Sequence, residues 1–234
     1  MLPRDLWTVF TAELLMRYLT TPSSYDLSDP SSIPNLLLQH FTIVAMSMLI
    51  ALVIAFPLAL LIVRYRRLRL PVITLMGLLY TIPGLALIGI LVTVTGLSLA
   101  TVIIPLVLYA QLVLVRNIST AISAIDPLLI EVGRAMGMNR VQILWRVTLP
   151  LAMPVIIAGI RVATVTTIGI ASLASLVDQG GLGDLIFKSI PLGDYDTILG
   201  GAILLALFAL VADLLLLLLQ RALERGHSQL ALAS

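Results

Sequence analysis

Charge is what this sequence has least of. Asp, Glu, Lys and Arg make up 11% of its 234 residues, and Lys188 is the only lysine. A soluble domain carries about 25% charged residues, so a water-covered surface is excluded for most of the chain. Cysteine is absent, which rules out disulfides and thiolate-ligated metals. The net charge of +2 gives no basic face for the phosphates of a nucleic acid. Catalytic signatures are missing too. There is no G-x-x-x-x-G-K-[ST] phosphate loop, no H-E-x-x-H and no Ser/His/Asp grouping, so ATP hydrolysis by the phosphate-loop route is excluded. The expectation is a non-enzyme with no catalytic residues, no metal and no cofactor of its own.

What is present is apolar length. Hydrophobic residues make up 60% of the chain and the mean hydropathy is +1.12, the composition of an all-α, polytopic membrane protein. Five uncharged or nearly uncharged runs are long enough to cross ~30 Å of hydrocarbon. They fall at 41–63, 70–95, 97–115, 151–177 and 197–219, within a membrane domain spanning 36–220. Pro57, Pro83 and Pro105 lie inside these runs, which membrane helices tolerate when neighbours satisfy the freed carbonyls. Gly96 marks a tight turn between the second and third. Residues 1–35 form an N-terminal arm in which 6–19, broken by Glu13 and Arg17, reads as an interfacial amphipathic helix. A sixth crossing there is the alternative.

Arginine placement sets the orientation. Arg64, Arg66, Arg67 and Arg69 separate runs one and two. Arg116, Arg134, Arg140 and Arg146 separate three and four, and Arg221 and Arg225 follow run five. The alternate connection carries Asp178, Asp184, Asp194 and Asp196 against Lys188. The positive-inside rule then places the N-terminus outside, and 126–150 and the tail 221–234 in the cytosol.

The segment 126–150 interrupts the greasy pattern. Asp126-Pro127 predicts a helix start, aspartate as N-cap and proline at the first position. Gly137 is a joint, and Asn139 caps a second short helix in which Val141, Leu144, Val147 and Thr148 share a face. Pro150 is read as starting the next run. Glu131, Val132 and Gly133, then Gly137, then Val147 and Leu149-Pro150 resemble the Glu-Ala-Ala loop of bacterial binding-protein-dependent ABC importer permeases. That loop reads Glu-Ala-Ala, three residues, Gly, nine residues, Ile, one residue, Leu-Pro. Here Val132 and Gly133 replace the alanines and Val147 the isoleucine, with the spacing intact.

The resemblance implies the five-span fold of the methionine-importer permeases, in a multi-pass protein of the bacterial inner membrane. It also implies that ATP and Mg are bound by a partner. Two ABC ATPase subunits, a second permease copy or paralogue, and an extracytoplasmic substrate-binding protein are the expected partners, beside the lipid bilayer. The coupling loop would consist of Glu131, Gly133, Gly137, Arg140, Val141, Leu144, Arg146, Val147, Leu149 and Pro150, with Val141, Leu144 and Val147 as apolar anchors. "YTIPGLALIGIL" (80–91), "AGIRVAT" followed by "IGIASLASL" (158–176) and "GGLGDLIF" (180–187) look like the osmoprotectant permeases, which move glycine betaine, carnitine and choline. A methionine or other amino-acid permease is the alternative within the family, and an ion-coupled secondary transporter is the alternative outside it.

Two further sets stand out. Tyr80, Tyr109, Gln111, Thr164, Thr167, Ser172 and Ser175 are candidates for the translocation path, against a plain packing role for the small hydroxyl residues. Arg161 and Asp213 are the lone charges of runs four and five, about 15 Å and 9 Å from the cytosolic face at ~1.5 Å per residue. A lone charge is costly there, so the two are a candidate ion pair, the alternative being that each finds backbone carbonyls or snorkels separately.

Overall fold

The computed structural model describes residues 21–232. The stretch 6–19 lies outside them. The described residues form helices and connecting turns, without a strand.

Helix α1 runs Ile33–Arg64, starting eight residues before its expected bound. Asp26 and Asp29 organise the turns before it, each accepting from the backbone N–H and hydroxyl of the serine two residues on. Those bonds hold both carboxyls below their ordinary pKa. Asn35 in the first turn donates to the carbonyls of Leu27 and Asp29. Pro57 passes inside α1 without ending it.

The second expected span is not one helix. It consists of α2, Arg69–Tyr80, and α3, Gly84–Thr95, bent by 88° at the break. Pro83 is the cause. Its ring disfavours helical geometry at Ile82, its own ψ of 134° is extended, and the following glycine adds no side chain to hold the turn. The hydroxyl of Thr81 donates to the carbonyl of Leu78, which also accepts from the Thr81 N–H. Gly96, at φ +67°, turns the chain after α3.

Helix α4 spans Leu99–Ser123 and tolerates Pro105. Helix α5 is Pro127–Ala135 and α6 is Arg140–Ile143. A π turn, Leu144–Thr148, then leads into α7, Leu149–Ala171, and a 3-10 stretch, Ser172–Val177. Pro150 therefore does not start a span: 140–177 is one helical run. A proline lacks the N–H for the i−4 carbonyl and its ring crowds that carbonyl, and the wider π turn accommodates both. Helix α8 is Gly183–Phe187. Helix α9, Tyr195–Leu232, continues well past its expected bound of 219, so the tail is helical as far as it is described. Among the described residues four helical runs are long and apolar enough to cross a membrane, and α2 with α3 makes a fifth if the bent pair counts as one.

The described residues divide into two units, one of 21–47, 82–106 and 166–210, the other of 48–81, 107–165 and 211–232. In the first, Leu36, Leu182 and Leu185 form a buried centre against which Leu204, Leu205 and Phe208 pack. In the second, Ala51, Ala55 and Ala59 are fully buried along α1 at helical spacing. These small side chains let helices approach closely in lipid. Gln111 of α4 reaches the carbonyl of Ala51 at 3.1 Å. On the far side of α4, a Cβ at Gly159 would collide with Asn117, so glycine is what lets α7 come that near.

Candidate functional site

The loop is assembled from capping signals, each visible in the sequence. Asp126 accepts from the backbone N–H of Leu128 at 2.9 Å, with Pro127 at the first helical position. At the far end of α5 the N–H of Gly137 bonds to the carbonyl of Arg134, and that of Met138 to Gly133. This pair is the Schellman closure, which requires a left-handed residue. Gly137 supplies it at φ +80°. Asn139 and Gln142 then exchange side-chain and backbone hydrogen bonds at 2.8 and 2.9 Å, a capping box that starts α6. The joint is rigidly specified.

Gly133 is buried, and a Cβ there would sit 3.4 Å from Cγ1 of Ile143. Alanine fits that gap at contact and a larger side chain does not, so α5 and α6 pack through this position. Glu131 is exposed and its side chain makes no hydrogen bond among the described residues. Asp126 caps the first helix.

The apolar anchors differ from expectation. Val141 is 64% exposed, but Leu144 and Val147 are half-buried, and Thr148 and Leu149 are buried. Leu144 lines a cleft on the inner side instead. Leu144 opens the π turn, and Thr148 and Leu149 lie at its end. Trp145 is 61% exposed, was missed, and was findable as the i+4 neighbour of Val141. Leu128, Val132 and Met136, exposed at 61%, 49% and 71%, follow i, i+4, i+8 along one side of α5. Arg140 and Arg146 are exposed, and Pro150 is half-buried. The loop thus exposes Leu128, Val132, Met136, Val141 and Trp145 together with Arg140 and Arg146.

Arg161 and Asp213 meet. Nε and Nη2 of the arginine donate to the two carboxylate oxygens at 2.9 and 2.8 Å, a bidentate pair. Nη1 donates to Oε1 of Gln220 at 3.0 Å, and Gln220 donates to Glu224. Gln220 and Glu224 went unnoticed, although seven and eleven residues beyond Asp213 is a helical stripe.

Of the seven path candidates only Tyr80 is exposed. Tyr109 is buried edge-on against it, ring centroids 5.7 Å apart. Gln111 is buried, its Nε2 used by Ala51 and its Oε1 left without a partner. Thr164 is half-buried, and Thr167, Ser172 and Ser175 are buried. Ser172 donates to the carbonyl of Gly169 at 2.7 Å.

The Gly-Gly-Leu-Gly-Asp stretch is a close-packed element. Gly180 and Gly181 take φ +72° and +86°. The Gly181 N–H donates to Oε1 of Gln39 at 3.0 Å, and a Cβ at Gly183 would strike the carbonyl of Ser172. Lys188 bonds Asp184 at 2.7 Å and Asp178 at 3.1 Å. The bond to Asp184, aided by Asp178, holds its ammonium above the usual lysine pKa against partial burial. His40, also unassigned by sequence, is fully buried beneath this stretch, with Nε2 at 3.2 Å from the carbonyl of Ile168 and its ring edge-on to Phe208.

Residues 47–229 match the family model described as "Binding-protein-dependent transport system inner membrane component". The chain is 44% identical over 187 residues to the glycine betaine/carnitine/choline transport system permease protein OpuCD of Bacillus subtilis (strain 168), covering 80% of this chain and 82% of that protein. It is 41% identical over 213 residues to the choline transport system permease protein OpuBD of the same organism, covering 91% of each. Among solved structures, the inward-facing MetNI methionine ABC transporter aligns with a TM-score of 0.71 at 23% identity, over 80% of this chain and 93% of that one. That likeness shows the fold.

Proposed function

The chain belongs to the family of inner-membrane components of binding-protein-dependent transport systems, and from that premise we propose that it forms the translocation path for a small quaternary-ammonium osmoprotectant. Glycine betaine, carnitine and choline are the compounds of this class. Supporting the cargo are the two Bacillus subtilis relatives, one named for glycine betaine, carnitine and choline and the other for choline. The low identity to the methionine transporter gives its substrate no comparable weight.

The observation that carries the mechanism is the loop 126–150. An N-cap, a Schellman closure at Gly137 and a capping box at Asn139 fix two short helices at a defined angle. Their exposed side chains include Leu128, Val132, Met136, Val141 and Trp145. Apolar side chains exposed on short helices suit a helix-in-groove ligand, and the groove belongs to a separate ATPase that binds ATP and Mg. Because 140–177 is one helical run, a displacement of the docked loop is transmitted directly into the membrane helix. In this reading the loop faces the cytosol, two permeases pair with two ATPases, and a binding protein delivers cargo at the outer face. Cargo selectivity resides mainly in that binding protein, whose aromatic residues would hold the quaternary ammonium by cation–π attraction.

The test is uptake of radiolabelled glycine betaine, choline and carnitine by proteoliposomes holding the complex. Uptake is expected to require internal ATP and the external binding protein. Methionine uptake with none of the three ammonium compounds would reassign the cargo. Uptake driven by an ion gradient without ATP would reject the importer reading.

A further inference from the structure

One cleft of the second unit is lined by Arg64, Arg66, Arg69, Arg134 and Arg140, and by no acidic residue. It encloses about 800 Å3, within the ~300–1,000 Å3 of small-molecule sites. Apart from Ser123 and Thr148 the rest of its wall is aliphatic, with no aromatic ring. The arginines come from the end of α1 (Arg64), the 3-10 turn after it (Arg66), the start of α2 (Arg69) and both arms of the loop (Arg134 and Arg140). Among the described residues none of the five pairs with a carboxylate.

Five like charges around one cleft repel each other, so the arrangement favours an anion. Guanidinium forks match phosphate oxygens in bidentate fashion. Inorganic phosphate would satisfy the arginines but leave the aliphatic wall wet. A nucleotide would lack an aromatic surface for its base. A phospholipid matches both halves of the site, and its headgroup depth is where arginines follow apolar helices.

We propose that this cleft binds one anionic phospholipid, its phosphate among the five arginines and the start of an acyl chain along the isoleucine and leucine wall. The lipid touches Arg134, Arg140 and Leu144, which flank the Gly137 joint, and so braces the loop from its inner side. The inference is independent of which cargo is carried.

The test uses native mass spectrometry of the intact detergent-purified complex, titrated with phosphatidylglycerol or with phosphatidylcholine. Phosphatidylglycerol adducts are expected to survive several-fold more often. The double variant Arg66→Gln/Arg69→Gln, outside the loop, should reduce them to the phosphatidylcholine level, and Arg66→Lys/Arg69→Lys should restore part of the difference. Equal retention of the two lipids overturns the proposal, as does unchanged retention in the glutamine variant. Full displacement by millimolar inorganic phosphate identifies a free-anion site and overturns the lipid assignment. Should the variants fail to assemble, a diazirine-bearing phosphatidylglycerol decides the matter on the unmodified complex. Crosslinks at Ile62, Ile122 or Ile130 support the cleft, and crosslinks confined to other surfaces reject it.

Discussion

Gly137 is open in space and constrained in backbone. Nothing stands within 4 Å of where its Cβ would be, yet its φ is +80°. Substitution there acts through conformation, and a non-glycine residue in the left-handed region costs ~1–2 kcal/mol, with asparagine the most tolerant. Gly137→Leu is expected to insert normally, because no span is touched, but to lose stimulation of the ATPase by loaded binding protein and to lose uptake with it. Gly137→Asn should keep most of both. Normal stimulation and uptake with leucine, measured side by side in proteoliposomes, would make the glycine a simple loop residue. Arg161 and Asp213 are coupled by two short hydrogen bonds. Arg161→Asp and Asp213→Arg should each lower the yield of monodisperse complex, and the double swap should recover it. A double variant worse than either single change would show that the side chains are needed separately.

At the scale of elements, two glycine-bearing pieces behave differently. The stretch 180–184 is locked against α1 and the end of the helical run 140–177, since Gln39 holds Gly181 and Ser172 leaves no room at Gly183. Gly183→Ala is expected to destabilise by ~1–3 kcal/mol through overpacking, read as a lowered melting temperature in detergent. Gly169 has open space around its Cβ position and no left-handed backbone, so Gly169→Ala should melt no lower than the parent. Equal melting of the two variants would remove the packing argument. The break at Pro83 and the π turn before Pro150 show two fates of proline. One lies in a break between helices, with its own ψ extended and a glycine opening the next helix, and the other is absorbed by widening a turn.

Across the whole molecule, apolar surface remains outside. Leu207, Leu210, Val211, Leu214, Leu215 and Leu218 of α9 are all about half exposed or more, which is stable against lipid or another apolar helix and unstable against water. The four or five candidate spans among the described residues are too few to enclose a switchable path alone. The purified complex is therefore expected to contain two permease chains and two ATPases, with hydrolysis absent from the permease on its own. Mass measurement finding a single permease per complex would remove the paired-pore reading.

The sequence by itself determined the membrane class, the loop and its caps. Hydropathy length and arginine placement depend on local composition, and Asp126, Gly137 and Asn139 act on backbone within three residues of themselves. The pairing of Arg161 with Asp213 was legible for a different reason, since two lone charges in apolar runs have few other partners. What depends on contacts distant in the chain was decided only by the tertiary structure. Gln111 meets Ala51, and Gln39 meets Gly181, neighbours that no local pattern specifies. Gln220 joins Arg161 only because α7 and α9 come together there. Trp145 keeps the i+4 spacing from Val141 that the sequence already shows, whereas Leu144, the first residue of the π turn, lines the inner cleft, a position set by the fold. The five-arginine cleft is of the same kind. Its members are spread over 77 positions in four stretches of chain, 64–66, 69, 134 and 140, and folding alone turns that ordinary arginine bias into one site.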